Sequence, residues 1–492
     1  MTAQTDPLPS ISPAWKRLAS VATSIRGELD RGGDLRHGPG ASVSACGVEV
    51  DSERSRLTPE ALDALHALAR VQNVEQKRDA MYSGAIVNRS ERRPALHVAL
   101  RAEDPAALAP GFARQIGADR ERMRGLAEAL HSGGLRGSTG HAITDIVNIG
   151  IGGSDFGSRL LCDALGDLAP DRLRVHFVSG VDGLQVDRLR RVLDPQKTVF
   201  VVSSKSFSTV ETLANASTLL EWFRKHSLSM ADHWFAVTGK ARAAEQLGIS
   251  PANIFDVPDG VGGRFSAWGA VGLPAALYLG WPVFRAWLAG GAEMDRHHQH
   301  APLEQNLPVR LALNNVWHST FLDCPSHCIA SYDNRLSAFL SWAQQLEMES
   351  NGKSVTEYGR PIDYATAPIV WGGLGNDGQH TYYQLLRQGT RRNAITLFTV
   401  GTASSALPTH AAALAHQAKA QVEALSQRDG GTGFNSVTQL RLRDLDPRTL
   451  GALMSAFEHA TTVAAWIWGI NAFDQPGVEL GKKLAARILS AG

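Results

Sequence analysis

Cysteine is scarce in this sequence: Cys46, Cys162, Cys324 and Cys328 are the four among 492 residues, too few and too scattered for a disulfide framework. A reducing, cytoplasmic setting is expected. An excess of one charge is lacking as well, since 49 Lys and Arg against 48 Asp and Glu leave +1, with no block of like charge. That argues against a nucleic-acid partner or a membrane surface held by bulk electrostatics. Long apolar runs are missing too. The longest charge-free stretch, Phe265 to Phe284, contains Pro274, Pro282 and three glycines, so no membrane span is expected. The N-terminus, MTAQTDPLPSISPAWKR, has no basic start followed by an apolar core, which argues against a secretory leader.

What is present is a globular composition, 43% hydrophobic and 20% charged. At about 150 residues per domain, the length suggests two or three core-forming units. Residues 1–118 carry helical patterns such as 58–71 (TPEALDALHALARV), opened by Thr58 as N-cap. Then the texture changes. Short β-branched or aromatic runs at 145–149, 174–178, 198–202, 233–237 and 253–257 alternate with helical stretches, and a second set follows at 328–332, 367–371 and 395–400. Strands alternating with helices predict βαβ units, hence an α/β fold with parallel sheets covered on both faces. A boundary is expected near 280–291, where Pro282 and the pair Gly290-Gly291 interrupt the pattern. The resulting division is 1–118, 119–284 and 285–492.

Two loops after predicted strands carry chemistry. The first, GIGGSDFG at 150–157, offers glycines that let backbone N–H groups approach an anion at a helix N-terminus. It is neither a dinucleotide fingerprint, because Asp155 stands where a third Gly belongs, nor a P-loop, because Ser158-Arg159 replaces Lys-Ser/Thr. A nucleotide-dependent kinase is therefore disfavoured. The second, SSKSFSTVET at 203–212, is dense in hydroxyls that could ring a phosphate. Taken singly, the loops could be a tight turn and a polar capping segment. Side by side at carboxyl ends of strands, they suit a phosphorylated small molecule.

Four further segments, GGRFS at 262–266, MESNGK at 348–353, GQH at 378–380 and FDQPGVELGK at 473–482, each bring one group able to assist proton transfer. Alone, Glu349 could be an ordinary last-turn residue, His380 a core histidine and Lys482 a solvated lysine. Together, in this order and spacing, and with KRDAMYS at 77–83 and PALHVALR at 94–101, the motifs resemble the glucose-6-phosphate isomerase (phosphoglucose isomerase) family over nearly the whole chain.

That resemblance implies two sugar-isomerase (SIS) three-layer α/β sandwich domains, with the N-terminal helical segment packed on the second. It implies reversible isomerisation of glucose 6-phosphate and fructose 6-phosphate, a step of glycolysis and gluconeogenesis, through a cis-enediol(ate). Carried over by position, Gly153, Ser154, Ser204, Lys205, Ser206 and Thr209 form the phosphate and substrate cradle, and Gln345 and Gln475 line the pocket. Glu349 corresponds to the base that moves a proton between C2 and C1, Arg264 to the cation beside the enediol oxygens, and His380 and Lys482 to the ring-opening pair. It further implies a homodimer in which His380 reaches the partner's pocket, for which the Gly-rich approach at 372–378 offers a permissive lead-in. Ser206 and Ser208 replace family threonines, Phe265 a tyrosine and Pro476 a tryptophan, and none of these changes removes a reacting group.

The chemistry needs no cofactor or metal. The pairs Cys324/Cys328 and His297-His298-Gln-His300 contain metal-capable side chains, but three residues separate the cysteines and no second pair completes a zinc site. A sugar-phosphate sensor could keep the phosphate loops, yet it would have no use for Glu349, Arg264, His380 and Lys482 together.

Overall fold

The computed structural model describes residues 7–31, 42–401, 407–427 and 434–478, with 480, 481, 484, 487 and 488 beyond them. Helix Pro59–Val71 begins as its sequence dictates: the Thr58 side chain accepts from the Ala61 amide, and Ala61, Ala64, Leu65, Leu68 and Ala69 turn inward at helical spacing. The same segment contributes a hairpin, β1 (Ser42–Ala45) and β2 (Val48–Arg54), and a short pair, β3 (Ile86–Asn88) and β4 (Arg93–Pro94), none of which the helical reading of 1–118 separated.

The first large sheet joins β5 (Asp145–Ile149), β6 (Arg174–Val178), β7 (Thr198–Ser203), β8 (Trp234–Val237) and β9 (Ile254–Phe255) in the order β6-β5-β7-β8-β9, all parallel. Every residue of β5 and β7 is buried, so apolar side chains such as Ile146, Val147 and Val199 to Val202 occupy both faces rather than alternating with exposed polar ones. From β5 the chain steps to one side, and from β7 onward it builds on the other. The strand order therefore reverses between β5 and β7, the place where open α/β sheets accept ligands.

The second sheet holds β10 (Ser326–Ser331), β11 (Ile369–Leu374), β12 (Asn393–Val400) and β13 (Asn435–Leu442), mutually parallel, in the order β1-β2-β13-β12-β10-β11. Strand β2 pairs antiparallel with β13, so the N-terminal hairpin extends this sheet. Strand β13 went unmarked in the sequence because its apolar residues are interrupted by Thr438, Gln439 and Arg441.

One expectation about the domain boundary is corrected. Gly290-Gly291 breaks nothing: it lies inside the continuous helix Trp281–His300, with Pro282 in its first turn. Both glycines serve close packing. A Cβ at Gly290 would stand 1.9 Å from the Arg448 carbonyl oxygen on helix Pro447–Trp468, and one at Gly291 would press on Arg101 and Trp268. The chain break comes at the start of the expected region, at Gly280, which ends helix Leu273–Leu279 with a positive φ (+88°) that favours glycine.

Helix Pro447–Trp468 is buried along almost its whole length and packs against Trp281–His300. At that seam Arg101 is fully enclosed. It pairs with Asp295 and Glu458 and covers the Trp268 ring at 4.3 Å, while Trp268 stacks on Trp287 at 3.9 Å. Removing one member of such a buried charge set typically costs about 3–5 kcal/mol. This polar seam fastens helix His97–Arg101 of the N-terminal segment to both long helices. Among the described residues no helix is long and apolar enough to cross a membrane.

Candidate active site

Both chemically suggestive loops leave the carboxyl ends of β5 and β7, on either side of the strand-order reversal. A buried polar residue inside β5 ties them together: Asn148 donates to the Ser154 carbonyl at 3.0 Å and accepts from Ser203 Oγ at 3.0 Å. Gly152 adopts φ +61°, and the backbone at Gly153 lies so near the next loop that a Cβ there would be 2.2 Å from the Gly263 carbonyl. Ser266 Oγ donates to the Gly153 carbonyl at 3.4 Å, completing the contact. The turn that follows Gly263 carries Arg264.

The β7 loop is shaped by its own hydroxyls. Ser204 Oγ accepts from the Phe207 amide at 3.1 Å and shares a hydrogen bond with Thr209 Oγ1 at 3.2 Å, while Ser208 donates to Ser206 at 2.9 Å. Phe207 is held at φ +48° with its ring buried, leaving Ser206 and Ser208 on the exposed side. Thr209 then precedes helix Val210–Arg224, whose first-turn amides face the same loop end. Hydroxyls over a helix N-terminus suit a phosphate dianion. Lys205, expected in the phosphate and substrate cradle, bridges two loops. Its ammonium donates to the carbonyls of Asp259 and Val261 at 3.1 and 2.8 Å, fastening the β7 loop to the Arg264 loop, and burial lowers its pKa.

Arg264 is buried, and its guanidinium is almost fully engaged. It donates to Ser350 Oγ at 2.6 Å, to Gln475 Oε1 at 2.9 Å, and to the carbonyls of Ala472 and Asp474. Its Nη1 lies 3.5 Å from Glu349 Oε1, whose side chain keeps 23% of its surface exposed. Burial pulls the Arg264 pKa down while Glu349 and Asp474 oppose the shift, and arginine stays cationic throughout the working range.

Glu349 and Gln345 share a π-helical turn, Gln345–Glu349, the kind of helix irregularity that recurs at functional sites. From this turn Gln345 reaches the first loop: a Cβ at Gly152 would be 3.2 Å from its Nε2. Its Oε1 is buried and has no hydrogen-bond partner among the described residues. The middle of the turn is anchored by Glu347, which accepts from Asn315, Asn351 and Thr461.

The structure thus gathers Gly153, Ser154, Arg264, Gln345, Glu349 and Gln475, and sets the Ser204, Lys205, Ser206 and Thr209 loop beside them through Lys205. His380 is not brought in. It is exposed and follows the short helix Gly375–Gln379 beyond the carboxyl end of β11. Gln344, next to the Glu349 turn, bonds to Val370 near the opposite end of that strand at 3.0 Å. The span from Val370 to Leu374 alone is about 13 Å at strand rise. Nor is the glycine-rich approach an extended loop, since Gly372 and Gly373 are strand residues and 375–379 are helical. Lys482 lies outside the described residues.

Sequence reasoning gave no role to Asn148, Lys353 or Asp474. Asn148 had a visible signal, a polar side chain centred in an apolar strand, whereas Lys353 and Asp474 sat inside quoted motifs whose neighbours drew the attention.

Comparison with known proteins matches the family Phosphoglucose isomerase over residues 51–436 and 430–491. A glucose-6-phosphate isomerase of Cupriavidus metallidurans is 42% identical over 472 residues, covering 91% of this chain and 87% of its own. One of Pseudoalteromonas atlantica is 38% identical over 524 residues, covering 99% and 95%. The crystal structure of a glucose-6-phosphate isomerase from Chlamydia trachomatis superposes with a TM-score of 0.85 at 28% identity, covering 99% of this chain and 96% of that one.

Proposed function

The chain belongs to the phosphoglucose isomerase family, and from that premise we propose how its own residues interconvert glucose 6-phosphate and fructose 6-phosphate. The observation that carries the reading is the Arg264–Glu349 pair, delivered by two different sheet units to one point beside the strand-order reversal.

The phosphate dianion rests on Ser206, Thr209 and the first-turn amides of Val210–Arg224, with Ser204 setting the loop and Lys205 tying it down. Each charge-assisted hydrogen bond there contributes about 1.5–3 kcal/mol. Ser154 and Gly153 hold the sugar end, and Gln345 and Gln475 border the reacting carbons. Glucose 6-phosphate is mostly cyclic, so an acid at the ring oxygen and a base at the C1 hydroxyl must open it. His380 and Lys482 fill those roles.

In the open chain Glu349 removes the C2 proton and returns it at C1, one carboxylate serving both carbons from above the C1–C2 bond. Arg264 stabilises the negative charge that develops on the enediolate oxygens. A preorganised donor of this kind is worth about 3–4 kcal/mol when water is excluded. Its hydrogen bonds to Ser350, Gln475 and the 472–474 backbone hold it in place before substrate arrives, so little reorganisation remains.

The exposure of His380, and its separation along β11 from the turn holding Glu349, supports a homodimer in which His380 completes the partner's pocket. On the same reading the chain comprises an N-terminal segment to residue 118, a first SIS unit ending at Gly280 and a second unit to the C-terminus, working in the cytoplasm. The direct test is a coupled assay of fructose 6-phosphate conversion to glucose 6-phosphate with purified protein. Turnover is expected, and its absence in folded protein would overturn the reading.

A further inference from the structure

Lys353 and Asp474 take no part in the chemistry above, yet they build the frame in which Arg264 sits. The Lys353 ammonium donates to the carbonyls of Ser350, Asn471 and Asp474 at 2.8, 2.9 and 2.9 Å, and lies 3.1 Å from Asp474 Oδ1. Arg264 approaches the same pieces of chain from the other side, bonding the Ser350 hydroxyl and the Asp474 carbonyl. The Asp474 carbonyl therefore accepts from both cations, and Ser350 is held by both, through its carbonyl and its hydroxyl. Ser350 adjoins Glu349, and Asp474 adjoins Gln475.

The Asp474 carboxylate is occupied on both oxygens. Oδ1 faces Lys353, while Oδ2 accepts from Ser90 at 2.5 Å and from Asn471 at 3.0 Å. Asn471 in turn donates to Asn88 at 2.9 Å, so the β3–β4 connection of the N-terminal segment is part of the frame. Both charged side chains are largely enclosed, at 10% exposure for Lys353 and 16% for Asp474. Without Lys353, Asp474 would be a poorly solvated carboxylate beside the turn to which Arg264 is bonded, and Arg264 would be the cation available to neutralise it. A charge-assisted bond to such a carboxylate is stronger than a bond to a neutral acceptor, so it would compete with the present partners of Arg264.

We propose that Lys353 and Asp474 are a positioning pair for the isomerisation: Lys353 neutralises Asp474 and fixes the 471–475 turn, so that Arg264 is kept for Glu349 and for charge developing on the substrate. The inference rests on the isomerase reading of this site.

The test begins with fructose 6-phosphate turnover by the unaltered protein, so that failure of the isomerase reading shows there and separately. Then Lys353→Met, Asp474→Asn and the double variant are compared. Lys353→Met is expected to lower kcat at least ~30-fold with KM within ~3-fold, because the phosphate loops lie on the first sheet unit. The double variant, with no stranded carboxylate, should recover at least ~5-fold of that loss. Lys353→Met keeping more than about a third of kcat, its KM rising in step with the kcat loss, an Asp474→Asn variant as impaired as Lys353→Met, or a double variant no better than Lys353→Met would each overturn the proposal. Should Lys353→Met not fold by circular dichroism, Lys353→Arg decides. Its planar fork keeps the charge but cannot meet three carbonyls from one nitrogen, so a kcat loss of ~10-fold at unchanged KM supports the pair and an unchanged kcat refutes it.

Discussion

Arg264 stands 3.5 Å from the Glu349 carboxylate but makes its 2.6 Å bond to the hydroxyl of Ser350, the residue next to it. The guanidinium is thus held by the chain that carries the base and not by the base itself. On the proposed mechanism this leaves Glu349 free to exchange a proton while a fixed positive charge remains beside it. A tight bidentate pair would have opposed protonation of the carboxylate, which the reaction requires at every turnover.

The phosphate loop gives a prediction about binding rather than chemistry. Ser206→Ala combined with Thr209→Ala should raise KM for fructose 6-phosphate by at least ~10-fold and more than it lowers kcat, since each lost charge-assisted bond is worth about 1.5–3 kcal/mol. Steady-state kinetics check this, and an unchanged KM would move the phosphate elsewhere.

Gly153 is a packing prediction. A methyl group at this position meets the Gly263 carbonyl at 2.2 Å, backbone against backbone, with no flexible side chain to yield. Gly153→Ala should therefore cost about 1–3 kcal/mol of stability and push the Arg264 turn away from Glu349. Urea unfolding and kcat/KM on the same preparation should both fall. A variant with wild-type values in both would mean that the two loops separate easily.

Much of this was legible in the sequence, and the reasons are specific. The runs at 145–149 and 174–178 are strands from end to end, carried by β-branched and aromatic residues on both faces, Ile146, Val147 and Ile149 in the first and Val175, Phe177 and Val178 in the second. Thr58 announced a helix start that the structure keeps. The hairpin β1–β2 and strand β13 escaped notice because edge pairing and mixed polarity carry no such signal. Gly290-Gly291 misled because a glycine pair reads as a breaker locally, whereas its use here, the close approach of Trp281–His300 to Pro447–Trp468, is a tertiary fact. In the site, the resemblance carried by the ordered motifs pointed to Arg264, Glu349 and Gln475, which the fold brings together. It could not tell that Lys205 would spend its ammonium on two carbonyls.

Buried histidines contribute to the loss of stability in acid. Burial lowers the His318 pKa from about 6.5 to about 4, with its bond to the Ser55 carbonyl opposing the shift, and His327 is likewise lowered, to about 3. Both bind protons more readily when unfolded. Their contribution is therefore complete above pH 6.5 and is lost as pH falls through the folded values. His318→Gln should flatten the dependence of unfolding free energy on pH near pH 5 by about 1 kcal/mol per pH unit. Urea titrations at pH 7, 6 and 5 measure it, and an unchanged slope would place the proton uptake elsewhere.

The shared-site reading predicts complementation. Inactive His380→Ala and inactive Glu349→Gln subunits, mixed under conditions that exchange dimers, should regain activity, because one pocket of each heterodimer receives both intact groups. Labelled subunits that demonstrably exchange yet stay inactive would assign His380 to its own chain.

Whether Glu349 carries the proton between C2 and C1 is decided by turnover of fructose 6-phosphate in D2O by folded Glu349→Gln, following kcat and solvent label at C2 of the product together. With Glu349 as the base, kcat should fall at least ~10³-fold below wild type, with label incorporation falling in step and KM little changed, because the amide keeps the shape of the pocket and loses only the base. A variant that kept more than about a tenth of wild-type kcat, with label still entering at C2, would contradict it and require another base.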